Sequence, residues 1–200
     1  MSFRRLWVAA LLAATVHLAA CDRIFPAGKG TFNGVDVTGG DMGGELRLTD
    51  HNGKPRTMAD FHGKVVVLIF GYTQCPDVCP TTLADMASAL RQLGGDARDV
   101  QVLFVTVDPK RDTPELLRQY VPAFYPDFLG LHGDAAAVAR VMKDFHVYAA
   151  ERPGKTAESY TVDHSSQIFA FDRNGKVRLL MTPGMTPSAM ASDLKVLLNS

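Results

Sequence analysis

The chain has no surplus of either charge: lysine and arginine total 21, aspartate and glutamate total 21, and the formal net charge at neutral pH is zero. A surface that neutralises a phosphate backbone needs a basic excess, so nucleic acid is excluded as a partner. Long apolar runs are missing too. The one strongly apolar stretch, Leu6 to Ala20, is 15 residues long, short of the ~20 that a helix needs to span a bilayer, and a multi-span membrane protein is excluded. Cysteine is scarce, with three in 200 residues, so each one can be asked what it does. What is present is a globular composition, 46% hydrophobic and 21% charged, at a length that suits a single core.

Arg4 and Arg5 precede the apolar run Leu6 to Ala14, the basic and hydrophobic regions of a secretory signal peptide. It ends Leu18-Ala19-Ala20-Cys21, which resembles the lipobox of bacterial lipoproteins, where the cysteine becomes the lipidated N-terminus. The expectation is a signal peptide over residues 1–20, lipidation at Cys21 and membrane attachment through that lipid. Asp22 resembles the residue that retains lipoproteins in the inner membrane. The expected location is the periplasmic face of the bacterial inner membrane. Cys75 and Cys79 are then the only thiols left in an oxidising compartment.

Residues 21–44 are rich in glycine and read as a tether, with a short strand at Gly34–Val37 inside it. The domain occupies residues 45–200. Glu45 to Thr49 alternates polar and apolar and is followed by Asn52-Gly53, which predicts an N-terminal hairpin. Val65 to Phe70 is a continuous apolar, mostly β-branched run, the pattern of a strand buried on both faces. A helix over Pro80–Leu93, a second buried strand over Val100–Val107 and a helix from Thr113-Pro114 to about Phe124 give a β-α-β-α alternation. Asp134 caps a helix to Phe145. Strands then follow at Tyr160–Asp163, Gln167–Asp172 and Lys176–Met181, the last two forming a hairpin, and Thr186 to Leu198 is a closing amphipathic helix. That order predicts an α/β domain of thioredoxin-like fold with an added N-terminal β-hairpin.

Both thiols lie in Gly71 to Pro80, between the end of the central strand and the start of a helix. A helix N-terminus stabilises thiolate, which favours metal ligation and thiol exchange alike. Four residues apart, the two sulfurs span one helical turn and can face one point, while a structural staple more often closes a longer loop. Pro80 disfavours helical backbone at the residue before it, which places Cys79 at the cap with Cys75 folded back over it. Two thiolates are an incomplete site for a soft metal, and His164, between two late strands, reads on its own as either a third ligand or a hydrogen-bonded loop histidine.

Tyr72 to Pro80 (YTQCPDVCP), Val107 to Pro114 (VDPKRDTP) and Val162 to Ser165 (VDHS) together resemble the three signatures of SCO/SenC proteins, the copper-binding assembly factors of cytochrome c oxidase. The resemblance covers roughly Gly44 to Leu198 and implies that Cys75, Cys79 and His164 bind copper, as Cu(I) or Cu(II). Two thiolates and an imidazole suit Cu(I). The client that the resemblance implies is cytochrome c oxidase subunit II, whose binuclear copper centre receives metal and needs reduced cysteines. A copper donor and a thiol reductant would act upstream.

Around this set, Asp77 between the thiols and Asp163 beside the histidine are candidate supporting residues. Asp108, Arg111 and Asp112 read as a structural turn in which Asp112 or Thr113 caps the next helix. His51, His62, His132 and His146 read as solvated or capping. The main reading is a copper chaperone without turnover. The alternative is a thiol-disulfide oxidoreductase in which Cys75 and Cys79 are redox-active and His164 is incidental, against which C-x-x-x-C spacing counts modestly. The motif set argues against a peroxidase.

Overall fold

The computed structural model describes residues 31–40, 42–156 and 159–200. The signal peptide, Cys21 and the first part of the tether lie outside the described residues. No helix among the described residues is long and apolar enough to cross a membrane.

Apolar runs without polar alternation can be satisfied only inside a sheet covered on both faces, and two such runs form the centre. Strands β4 (Val65–Gly71) and β5 (Val100–Thr106) pair in parallel, with every residue of β4 buried. Six further strands extend them: β1 (Val35–Asp36), β2 (Arg47–Asp50), β3 (Pro55–Thr57), β6 (Leu129–His132), β9 (Ile168–Phe171) and β10 (Val177–Met181), in the order β1-β10-β9-β4-β5-β6-β2-β3. β6 continues the parallel set, while β9 and β10 form the antiparallel hairpin expected of the C-terminal half. β2 and β3 are the N-terminal hairpin, docked on β6.

Among the described residues four α-helices join these strands: α1 (Val78–Leu93), α2 (Pro114–Tyr120), α3 (Ala135–Asp144) and α4 (Pro187–Leu198). Three caps follow the sequence, with Thr113, Asp134 and Thr186 each accepting a backbone N–H from the third helical residue. α1 packs against α4, and α3 packs over β2. A separate two-stranded antiparallel ribbon, β7 (Ala149–Arg152) with β8 (Thr161–His164), shares no backbone ladder with the large sheet.

Several boundaries differ from the sequence expectation. α2 stops at Tyr120, short of Phe124, because Pro122 lies just beyond. β6 and β7 are four residues long without β-branched residues and fall outside the sequence expectation. Part of the glycine-rich segment read as tether is laid along the sheet edge. β1 pairs with β10 at Val35–Leu180 and Asp36–Leu179, and the fully buried Asp193 on α4 accepts the N–H groups of Asn33 and Gly34.

Candidate metal centre

Topology alone gathers the three motifs at one end of the sheet. β4 and β5 are parallel, so the loops that leave them, carrying the cysteines and Asp108 to Thr113, emerge side by side, and Val107 N–H donates to Gly71 O. β9 runs antiparallel to β4 with Ile168 opposite Ile69, so residues 164–167 arrive beside Phe70 to Tyr72. Sites beyond the carboxyl ends of parallel strands are the usual place for ligands in such sheets.

Cys79 lies within the first turn of α1, not at its cap, which is Asp77. Pro80 occupies the third helical position, where no intrahelical N–H is required, and the first ladder bond runs from Thr81 N–H to Asp77 O. Cys79 is 3% exposed, with its sulfur against the Gly71 backbone. Burial pushes its thiol up to about 12, a backbone hydrogen bond from Tyr72 acting the other way and Cys75 adding to the rise. At Cys79, burial therefore works against the thiolate that the helix N-terminus favours. Cys75 is half-buried, and its sulfur accepts the Cys79 N–H at 3.5 Å.

His164 closes β8 with its Nε2 atom 3.7 Å from Cys79 Sγ. Its Nδ1 lies 2.8 Å from the Ser165 carbonyl, which can only accept, so Nδ1 carries the proton and the Nε2 lone pair faces the sulfur. The Tyr72 ring meets the imidazole edge-on at 6.0 Å. A thiolate bond of about 2.3 Å and an imidazole bond of about 2.0 Å, opened to tetrahedral or trigonal angles, span roughly 3.5–3.7 Å; Cys79 and His164 already stand at that spacing. Among the described residues no three His, Cys, Asp or Glu side chains converge as a complete metal cage. The Cys75 sulfur is engaged by the Cys79 amide.

The supporting residues differ from expectation. Asp77 is exposed at the N-cap and makes no side-chain capping bond. Asp163 pairs with Arg152 across the ribbon at 2.6 Å, both side chains more than half exposed, and does not orient His164. Asp112 is not a cap. It is buried and accepts from Thr106 Oγ1 at 2.6 Å and from Thr73 Oγ1 and N–H, tying the cysteine loop to the end of β5, and its burial raises its carboxyl above the usual range. His51 is 4% exposed and not solvated: its Nδ1 accepts Gly130 N–H at 3.0 Å. His62 ends a short 3-10 turn and His146 follows α3 in the left-handed region.

Sequence reasoning missed Arg111 as part of the site. It ion-pairs with Asp108 at 2.5 Å, stacks at 3.6 Å over Tyr160, and donates to Tyr160 O at 2.8 Å and Gln74 Oε1 at 3.1 Å. Tyr160 in turn donates its hydroxyl proton to Asp108 at 2.8 Å. The only sequence signal was the placement of Arg111 in a motif shared with the cysteine and histidine segments.

A dithiol loop at the C-terminal end of a central parallel strand, faced by a histidine on a side ribbon, defines a thioredoxin-like domain with a soft-donor site. The family model described as SCO1/SenC matches residues 36–199, and the chain belongs to that family. BsSco, a solved neighbour 23% identical with a TM-score of 0.60, is described as a member of the Sco family of cytochrome c oxidase assembly proteins. The mitochondrial SCO2 homolog of Bos taurus is 42% identical over 134 residues, 66% of this chain and 50% of its own length. The chain spans about half the length of the mitochondrial relatives it matches. Bradyrhizobium japonicum ScoI, solved with copper bound, is 43% identical with a TM-score of 0.73, covering 78% of this chain and 99% of its own. Yeast Sco1, also with copper bound, is 30% identical with a TM-score of 0.73 over 80% of this chain and 89% of its own.

Proposed function

We propose that this chain binds one copper ion through Cys75, Cys79 and His164 and serves the binuclear copper centre of cytochrome c oxidase subunit II, by delivering metal to it or by reducing its cysteines. The observation that carries the reading is the pairing of Cys79 Sγ with an His164 Nε2 lone pair at 3.7 Å, the tautomer fixed by Ser165. The donor set is two sulfurs and one imidazole, which suits Cu(I). Cys75, half-buried and four residues away, turns from the Cys79 amide to complete the set. Three donors leave the ion open to a further ligand from a client, which supports transfer. The copper-bound relatives support the choice of metal.

The same thiols support reduction of a client disulfide, because they differ in access. The more exposed Cys75, as thiolate, attacks one client sulfur and displaces the other client thiolate. Cys79, losing its proton, then attacks Cys75 and releases the second client thiolate. Two electrons pass to the client and a Cys75–Cys79 disulfide remains, which a thiol reductant must reopen. We place the protein at the periplasmic face of the inner membrane, held by lipid on Cys21, because the lipobox-like end of the apolar run supports it.

Anaerobic Cu(I) titration of the reduced protein against a competing chelator tests the copper reading. One tightly held ion that protects both thiols from alkylation is the expected result, with His164→Ala losing affinity and Cys75→Ser or Cys79→Ser abolishing tight binding. No competitive binding, with both thiols reactive throughout, leaves thiol-disulfide exchange alone.

A further inference from the structure

The ribbon that carries His164 shares no strand ladder with the large sheet. Apart from chain continuity, its seat against the cysteine loop depends on side chains, and the exposed pairs Lys110–Glu151 and Arg152–Asp163 are too solvated to fix a position. Arg111 differs: its side chain is 13% exposed and that of its partner Asp108 is 2% exposed. Through one planar group it touches the three segments that make the site. Its Nε holds Asp108 on the loop after β5, its Nη1 reaches Gln74 beside Cys75, and the same Nη1 binds Tyr160 O at the entrance to β8. The guanidinium lies over the Tyr160 ring at 3.6 Å and 5.6 Å from the centre of the Tyr72 ring. Tyr72 extends the connection, since its hydroxyl accepts Val162 N–H, two residues before His164.

We propose that Arg111 is a positioning residue for copper: it seats the β7–β8 ribbon on the cysteine loop and so sets the distance between His164 and the two thiols. The proposal rests on the copper reading above. A lysine cannot replace the arginine, because an ammonium has no plane to stack on Tyr160 and no fork to serve Asp108, Tyr160 and Gln74 together. Groups that orient a metal ligand from outside the donor set cost about 10- to 100-fold in metal affinity when removed.

The test is a double-mutant cycle in Cu(I) affinity, by chelator competition, on the reduced protein. Arg111→Lys is expected to lose about 10- to 100-fold, and Arg111→Lys with His164→Ala to be no weaker than His164→Ala alone, because the arginine acts through the histidine. Tyr160→Leu, which removes the stacking surface, is expected to show the same fall and the same non-additivity, and it carries the test if Arg111→Lys does not fold. Wild-type affinity in Arg111→Lys, or a further tenfold loss in the double variant, overturns the proposal. If the wild-type protein itself binds no Cu(I), the copper reading fails instead. Amide exchange in the metal-free protein then still decides whether Arg111 seats the ribbon: faster exchange at Val162 in Arg111→Lys supports it, and unchanged exchange refutes it.

Discussion

At the scale of single residues, the site and its surroundings show how burial overrides chemical habit. His51 is a histidine in a turn, and solvent exposure is the ordinary inference, yet it is enclosed with Nδ1 accepting a backbone N–H from Gly130. Burial holds its pKa below the usual value, and the neutral form is the one that can accept that bond. Between the folded and unfolded pKa values the unfolded chain binds more protons, so stability rises with pH across that window. The contribution is fully present above the unfolded value near 6.5 and is lost as pH falls below it. Denaturant titrations from neutral to mildly acidic pH are expected to show this loss, and His51→Asn, which keeps an acceptor without a titrating proton, is expected to flatten the slope. Cys79 illustrates the same conflict: the helix start was readable from Pro80, while the close approach of the Gly71 backbone to the sulfur appears only in the fold.

At the scale of elements, the backbone passes so close to the buried sulfur that one position tolerates no side chain. A methyl group on Gly71 would stand 2.9 Å from Cys79 Sγ and 2.7 Å from the Phe104 ring. Gly71→Ala is expected to cost about 1–3 kcal/mol by overpacking and to speed alkylation of Cys79 as it is displaced, measured by denaturant unfolding and timed labelling of the metal-free protein. The central strands, the helix caps at Thr113, Asp134 and Thr186 and the C-terminal hairpin were legible because each is a local pattern of apolar run, capping residue or Asn-Gly turn. β6 (Leu-Gly-Leu-His) and β7 (Ala-Ala-Glu-Arg) were not, because they are short, lack β-branched residues and exist through their partners. For the candidate site, the motifs named Cys79 and His164, which the fold brings to 3.7 Å of each other. The links of Arg111 to Tyr160 and Gln74, which join residues 49 and 37 positions apart, could not be read from motifs.

At the scale of the whole molecule, the segment before β1 helps hold the C-terminal helix. Asp193, fully buried on α4, accepts Asn33 N–H at 2.7 Å, Gly34 N–H at 3.0 Å and the Asn33 side-chain amide at 2.8 Å. Asp193→Ala would strand these donors and is expected to cost about 1–3 kcal/mol. Removing residues 1–44 should bring a loss of similar size, with the large sheet retained by circular dichroism. A truncation past β1 that left unfolding unchanged would show that this segment contributes nothing to the body. The two outermost strands have a different consequence. β1 is two residues long, and β3 is three residues long and begins with Pro55, which has no N–H to offer. Neither rim presents enough free backbone for a neighbouring chain to extend the sheet, so copies crowded together are protected from edge-to-edge polymerisation. Strand addition at either rim of the large sheet is thereby closed to any partner.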